Sequence, residues 1–149
     1  MTLCFIDQHP RILLGMKKRG LGKDKWNGFG GKVEIETAED AVRREVAEEC
    51  GVVVKDLEKV GILDFAWQGN PETLQVHVFK AGSFSGEPVE TEEMKPKWFF
   101  ADEIPFSDMW QDDVYWMPML LSGRKFHGRF VLDGDNQLIE KEIEELETI

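Results

Sequence analysis

The sequence predicts an α+β fold, a mixed or antiparallel sheet with helices packed on it, and three observations carry that prediction. Candidate strands outnumber candidate helices. Gln75-Val76-His77-Val78 alternates polar and apolar, as a strand with one covered face should, and one well-capped helix interrupts the strands between Ala38 and Cys50. No linker, repeat or low-complexity block is visible, so the 149 residues, 42% of them apolar, are expected to form one domain, 1–149.

The elements follow in order. Leu3 to Ile6 and Arg11 to Lys17 read as strands joined through Asp7-Gln8-His9-Pro10. The Gly-rich run Asn27-Gly28-Phe29-Gly30-Gly31 lets backbone approach a neighbour closely. Thr37-Ala38-Glu39-Asp40 has the form of a capping box and Gly51 is placed for a C-cap, which brackets a helix whose Val42, Val46 and Cys50 form an apolar stripe. Val60 to Gln68 and Thr73 to Lys80 are strands split by Gly69-Asn70-Pro71, and Lys97 to Phe100 is a shorter one. Trp110 to Ser122 carries aromatics and Met at helical spacing, with Pro118 expected to kink or shorten it. Phe126 to Leu132 and Gln137 to about Ile143 make a closing hairpin around Asp133-Gly134-Asp135-Asn136. The acidic tail, Glu140 to Glu147, fits a frayed helix as well as it fits a solvated strand end.

A formal charge of −11 argues against a protein that tracks nucleic-acid phosphates. A small anionic ligand is still compatible, if bound cations and a few basic groups receive it locally. Basic residues do gather at Lys17-Lys18-Arg19, Lys23, Lys25 and Lys32. Cys4 and Cys50 lack metal-site spacing and sit among apolar residues, so buried reduced thiols and an intracellular, cytoplasmic setting are expected, with mitochondria or nucleus as further compartments. No run is long enough for a membrane span, no leader pattern stands at the N-terminus, and the three histidines lack zinc spacing, so the chain reads as soluble and unprocessed.

Arg44-Glu45-Val46-Ala47-Glu48-Glu49-Cys50-Gly51 is the most informative segment. On a helix, Glu45, Glu48 and Glu49 fall within an arc of about 100° and can converge only against mutual repulsion. A hard divalent cation such as Mg2+ would relieve it and join the carboxylates to a phosphate. Glutamates are also good helix formers, so an ordinary solvated face is the competing reading.

With the Gly-rich loop and the Arg-Glu-x-x-Glu-Glu-x-Gly core in place, the chain resembles the Nudix hydrolases. Over nearly its whole length it resembles their oxidised-purine nucleoside triphosphatase subfamily, the eukaryotic MutT homologues. Leu14-Gly15-Met16-Lys17-Lys18-Arg19-Gly20, Trp26 to Val33, Pro105-Phe106-Ser107-Asp108-Met109-Trp110 and Lys125-Phe126-His127-Gly128 carry the likeness. It implies a Nudix fold, with a mixed central sheet sandwiched between helices. One departure is a loop between Gly31 and Glu36 that is one residue shorter than the family pattern, which bears on the structural pairing of Glu36 with Arg44; Gly51 completes that motif. Thr2, at the start of the first substrate-facing strand, would lie at a frayed end.

The resemblance implies hydrolysis of 8-oxo-dGTP, 2-hydroxy-dATP and related modified purine triphosphates to monophosphate and pyrophosphate, which keeps damaged nucleotides out of DNA. Gly30, through its carbonyl, with Glu45, Glu48, Glu49 and Glu93 would hold Mg2+, with Mn2+ as a substitute. Glu45 or Glu49 would take a proton from the attacking water. Lys17 and Lys32 would face the triphosphate. Asn27, Phe65, Trp110, Asp112 and Asp113 would hold the base, and Thr2, Phe29, Gly30 and Gly31 complete the substrate-binding set. An indole grips a purine by stacking, and two adjacent carboxylates sharing one proton would read its edge. Before the resemblance, Asp112-Asp113 reads first as the acidic start of a helix, favoured by the helix dipole. Trp110 and Trp116 could likewise be core at helical spacing, the reading preferred for Met117 and Met119. Leu21 and Leu74 depart from the family's purine pocket. The implied partner is a small nucleotide, with no nucleic-acid polymer, no membrane and a monomeric enzyme. Two alternatives stand beside this reading: a Nudix hydrolase of another nucleoside diphosphate derivative, and a nucleotide-binding protein that has lost catalysis.

Overall fold

The structure is a computed structural model describing residues 1–149. β1 (Thr2–Gln8) and β2 (Arg11–Lys17) form the expected antiparallel hairpin, with Ile6 opposite Leu13. The short β3 (Trp26–Asn27) continues along the same edge of β2, and β6 (Met94–Phe100) occupies the other edge. β4 (Val53–Trp67) and β5 (Thr73–Ser85) pair antiparallel, while β5 lies parallel to β1. β7 (Lys125–Leu132) lies parallel to β4, and β8 (Leu138–Leu146) completes the order β3-β2-β1-β5-β4-β7-β8 in one mixed sheet.

The two helices, α1 (Ala38–Cys50) and α2 (Asp113–Leu121), cover opposite faces of that sheet. Strand alternation shows it directly. Cys4 and Ile6 of β1 pack with Val42, Val46 and Cys50 of α1, whereas Phe5 between them packs with Trp116, Met117 and Leu120 of α2. β1 is therefore apolar on both sides, as a central strand must be. Both cysteines are free and buried, in agreement with the sequence. Burial raises both thiols, Cys50 to about 11.

α1 starts and stops where its caps predict. Thr37 accepts from the Asp40 N–H at 3.2 Å, and Gly51 takes the left-handed conformation with φ 77°. Asp40 pairs with Arg43 at 3.1 Å.

Four expectations need correction. β4 and β5 extend beyond their predicted ends, to Val53 and Ser85, because charged Lys55, Asp56, Glu58 and Lys59 hide the strand signal where one face is solvated. A register shift between Lys59 and Gly61 interrupts their ladder. The helix around Pro118 is shorter than the expected Trp110 to Ser122, but at its start: it begins at Asp113, and it runs three residues past Pro118 to Leu121 with Trp116, Met117 and Leu120 buried. The acidic tail is a strand as far as Leu146, paired to β7 with Lys125 opposite Leu146. Thr2 is not frayed: it is 2% exposed, pairs with His77 and donates its N–H to the Gly31 carbonyl at 2.8 Å. His127 has the structural role expected, its Nε2 lying 2.6 Å from Asp64 Oδ2 across neighbouring strands.

Candidate active site

The Gly-rich loop is laid against β1 by paired backbone bonds. The Phe29 N–H donates to the Cys4 carbonyl at 2.9 Å, and the Phe29 carbonyl accepts from the Cys4 N–H. Gly30 is required by contact, since a Cβ there would stand 2.0 Å from the Thr2 carbonyl oxygen. This approach brings the Gly30 N–H to Glu49 Oε1 at 2.8 Å. Thr91 fixes the same end of α1 from the other side: its hydroxyl donates to the Glu49 carbonyl at 2.8 Å and accepts from the Glu93 N–H at 3.2 Å.

Glu49 is the buried carboxylate of the helix, only 6% exposed. Burial pushes its pKa up to about 8, with the Gly30 N–H opposing, Glu45 and Glu93 adding repulsion and Lys17 attracting. Glu45 is also raised, first by burial, against the pull of Arg44. Arg44 organises this corner. It donates to Glu36 from Nε at 3.0 Å and Nη2 at 2.7 Å, to Glu45 at 2.9 Å and to the Lys32 carbonyl at 3.0 Å. The shortened loop thus leaves the Glu36–Arg44 pair intact.

The expected convergence of acids is looser than a ready-made cage. Nowhere do three His, Cys, Asp or Glu side chains gather at metal-ligand spacing. Glu48 is exposed, 3.6 Å from the Arg44 guanidinium, and Arg19 holds the Glu93 carboxylate. Repulsion separates the acids, and each takes the nearest cation or N–H.

A cavity of about 190 Å³ opens beside Glu49. Lys17, Asn27, Gly30, Phe65, Trp110, Asp112 and Asp113 line it with Glu49, and so do Thr2, Leu21 and Leu74. Asn27 Oδ1 accepts from the Gly28 N–H at 2.8 Å. Phe65 stacks on Phe130 with ring centroids 5.6 Å apart. Lys25 Nζ lies 5.7 Å from the centre of the Trp110 ring.

Asp112 and Asp113 are 2% and 3% exposed. Asp112 stands at the N-cap of α2 without using its side chain to cap; its Oδ2 accepts from Trp116 Nε1 at 2.8 Å instead. Asp113 Oδ2 is buried with no partner in the protein. Burial raises both acids. The charge of Asp112 and its neighbouring carboxyl raise Asp113 further, well above the usual carboxylate range, so the two titrate as a coupled pair. Its orphan oxygen is a buried polar atom with no partner, the sort that calls for explanation.

Three candidate residues lie elsewhere. The Phe29 ring is fully buried in the core against α1, so this residue contributes only backbone. Lys32 is exposed and outside the cavity. Gly31 also stays off the cavity wall, and a Cβ there would meet the Glu45 carboxyl at 2.6 Å. Sequence reasoning missed Trp67 and Leu132, which line the cavity side by side in the β4–β7 register. Strand periodicity held a signal, since Leu63, Phe65 and Trp67 alternate onto one face. Trp116, readable as core, both fills the core and borders the cavity, and Met117 is fully buried as expected.

A helix bearing Arg-Glu-x-x-Glu-Glu, a glycine loop bonded to its buried glutamate and a mixed sheet between two helices define a class of hydrolase. The NUDIX domain pattern matches residues 2–120, and the chain belongs to the Nudix family. Among its relatives are two proteins named oxidized purine nucleoside triphosphate hydrolase. The one from Danio rerio is 47% identical, with 100% of this chain and 96% of that protein covered, and the one from Mus musculus is 48% identical, with 99% and 95% covered. The crystal structure of a MutT protein from Bacillus halodurans superposes with a TM-score of 0.86 at 30% identity, over 96% of this chain and 95% of that one.

Proposed function

We propose that this Nudix hydrolase converts 8-oxo-dGTP, 2-hydroxy-dATP and related modified purine triphosphates to monophosphate and pyrophosphate in a Mg2+-dependent reaction. One observation carries the reading: a single cavity is lined both by two adjacent buried aspartates beside an indole and by the buried glutamate of the Nudix helix. The relatives' names support it.

The donor set suits Mg2+, because it consists of oxygens and because Glu49 and Glu45 are held above their ordinary range by burial and mutual repulsion that a hard cation would reverse. Glu45, Glu48, Glu49, Glu93 and the Gly30 carbonyl are the candidate ligands, and bound Mg2+ supplies positive charge against the polyphosphate. Glu49, the helix glutamate that lines the cavity, takes the proton of the attacking water. Arg44 and the Gly30 N–H orient the carboxylates. Lys17 adds a point charge toward the phosphates.

At the base, protonated Asp113 donates to a ring carbonyl and Asp112 accepts from ring N–H groups, while Asn27 offers both donor and acceptor. Trp110 supplies a stacking face worth roughly 1 to 3 kcal/mol. Pyrophosphate release measured with Mg2+ on 8-oxo-dGTP, dGTP, a dinucleoside polyphosphate and a nucleotide sugar tests the reading. The oxidised purine should have the highest kcat/KM. Faster turnover of a polyphosphate or nucleotide sugar, or binding without turnover, would overturn it.

A further inference from the structure

Gln111 sits between Trp110 and Asp112, all of whose neighbours in the segment Trp110–Asp113 line the cavity, yet it is exposed and turns the opposite way. Its Nε2 donates to Gln137 Oε1 at 2.7 Å, and its Oε1 accepts from the Leu138 N–H at 2.8 Å. Both amide atoms therefore grip the β7–β8 hairpin. This two-point hold spans 26 and 27 positions of sequence.

The hairpin is itself tied to the opposite cavity wall. Asn136 Oδ1 accepts from Trp67 Nε1 at 2.8 Å, and Leu132, at the root of the hairpin, lines the cavity beside Trp67. Asp133 makes the turn rigid by accepting from the Asp135 and Gln137 N–H groups at 2.8 and 3.0 Å. Asn136 adopts the left-handed conformation, φ 61°, that points its amide back at the indole. One tight turn thus holds both the wall carrying Trp67 and the segment carrying Trp110, Asp112 and Asp113.

We propose that Gln111 is a specificity-setting positioning residue: by clamping the Trp110–Asp113 segment to the β7–β8 hairpin, it fixes the aspartate pair at the distance that separates oxidised from unmodified purines. The proposal rests on the substrate reading above and deepens it. It follows from geometry: the Trp116 indole holds Asp112 from within α2, the Asp113 N–H donates to the Trp110 carbonyl at 3.1 Å, and Gln111 is the residue of this segment whose side chain bonds it to the β7–β8 hairpin. Recognition by a proton-sharing pair depends on placement, and a shift of about 1 Å in a positioned group can cost up to about 100-fold. The phosphate end lies on other elements and is untouched.

The test compares the parent chain with Gln111→Met, which keeps the volume and removes both bonds, Gln137→Met, which removes one of them together with the long 3.4 Å bond from Gln137 Nε2 to the Asp135 carbonyl, and Gln111→Glu, which keeps an acceptor for Leu138. Steady-state kinetics on 8-oxo-dGTP and dGTP with Mg2+ should show the ratio of kcat/KM values falling roughly tenfold in Gln111→Met. The loss should reside in KM for the oxidised base, with kcat held within about twofold. Gln137→Met should lose less, Gln111→Glu should recover part of the ratio, and Gln111→Met with Gln137→Met should lose no more than Gln111→Met alone, because the two share a bond. Melting temperatures report that each variant is folded. A ratio unchanged in Gln111→Met, or an equal drop in kcat on both substrates, would sink the clamp alone. No preference for the oxidised base in the parent chain would sink the substrate reading and the clamp with it.

Discussion

The chain places acids in two settings that share one cavity and behave oppositely. On α1, Glu45, Glu48 and Glu49 border a loop and a surface, and each has found a cation or an N–H: Arg44 for Glu45 and Glu48, Gly30 for Glu49. At the start of α2, Asp112 and Asp113 are buried in the cavity wall, Asp112 bonded to one indole N–H and Asp113 Oδ2 to nothing in the protein. The first group is arranged to gather positive charge. In the second, burial raises both acids and the neighbouring carboxyl raises Asp113 further, against the charge of Lys25. The same functional group thus meets cations and N–H groups in one place and a second buried carboxyl in the other, and its neighbours set its electrostatics.

The sharpest way to break this comparison is to neutralise one acid of each kind. Glu49→Gln should lower kcat on the order of 10³-fold or more, since it removes charge from the reacting end, while affinity for an oxidised purine monophosphate stays within about threefold. Pyrophosphate release and calorimetric titration measure the two, and substantial turnover in Glu49→Gln would overturn its role. Arg44→Lys tests the support of the same end. It loses the forked hold on Glu36 and Glu45, and Mg2+ affinity should fall about 10-fold, read by the Mg2+ dependence of turnover.

Asp113→Asn probes the second setting in stability rather than turnover, through pH. The folded pKa of Asp113 is raised, so its contribution to stability is complete below about pH 4 and is lost as pH rises through the folded value. Asn has no proton to keep. The melting temperature of Asp113→Asn relative to the parent should therefore climb between about pH 4 and pH 7, at up to about 1.4 kcal/mol per pH unit. A difference that stays flat across that range would contradict a protonated Asp113.

Legibility in the sequence followed the range of the forces involved. α1 was readable to the residue, because Thr37, Gly51 and the Val42–Val46–Cys50 stripe act within a few positions of one another. β4 was not, since Lys55 to Lys59 look like a loop until β5 supplies a partner. Phe29 was assigned to substrate from its motif, yet Gly15 leaves the space that its ring fills: a Cβ at Gly15 would meet that ring at 2.9 Å.

The sequence by itself determined the fold class, the capped acidic helix and the placement of Glu45, Glu48 and Glu49 on one arc of it, because helix periodicity, capping and turn chemistry are local. Tertiary structure alone decided that Glu49 is buried, that Arg19 holds Glu93, that Asp113 is left with an unpartnered oxygen and that Gln111 grips a hairpin far along the chain. Those properties depend on which distant segment displaces water from each group, and desolvation is set by the packed whole.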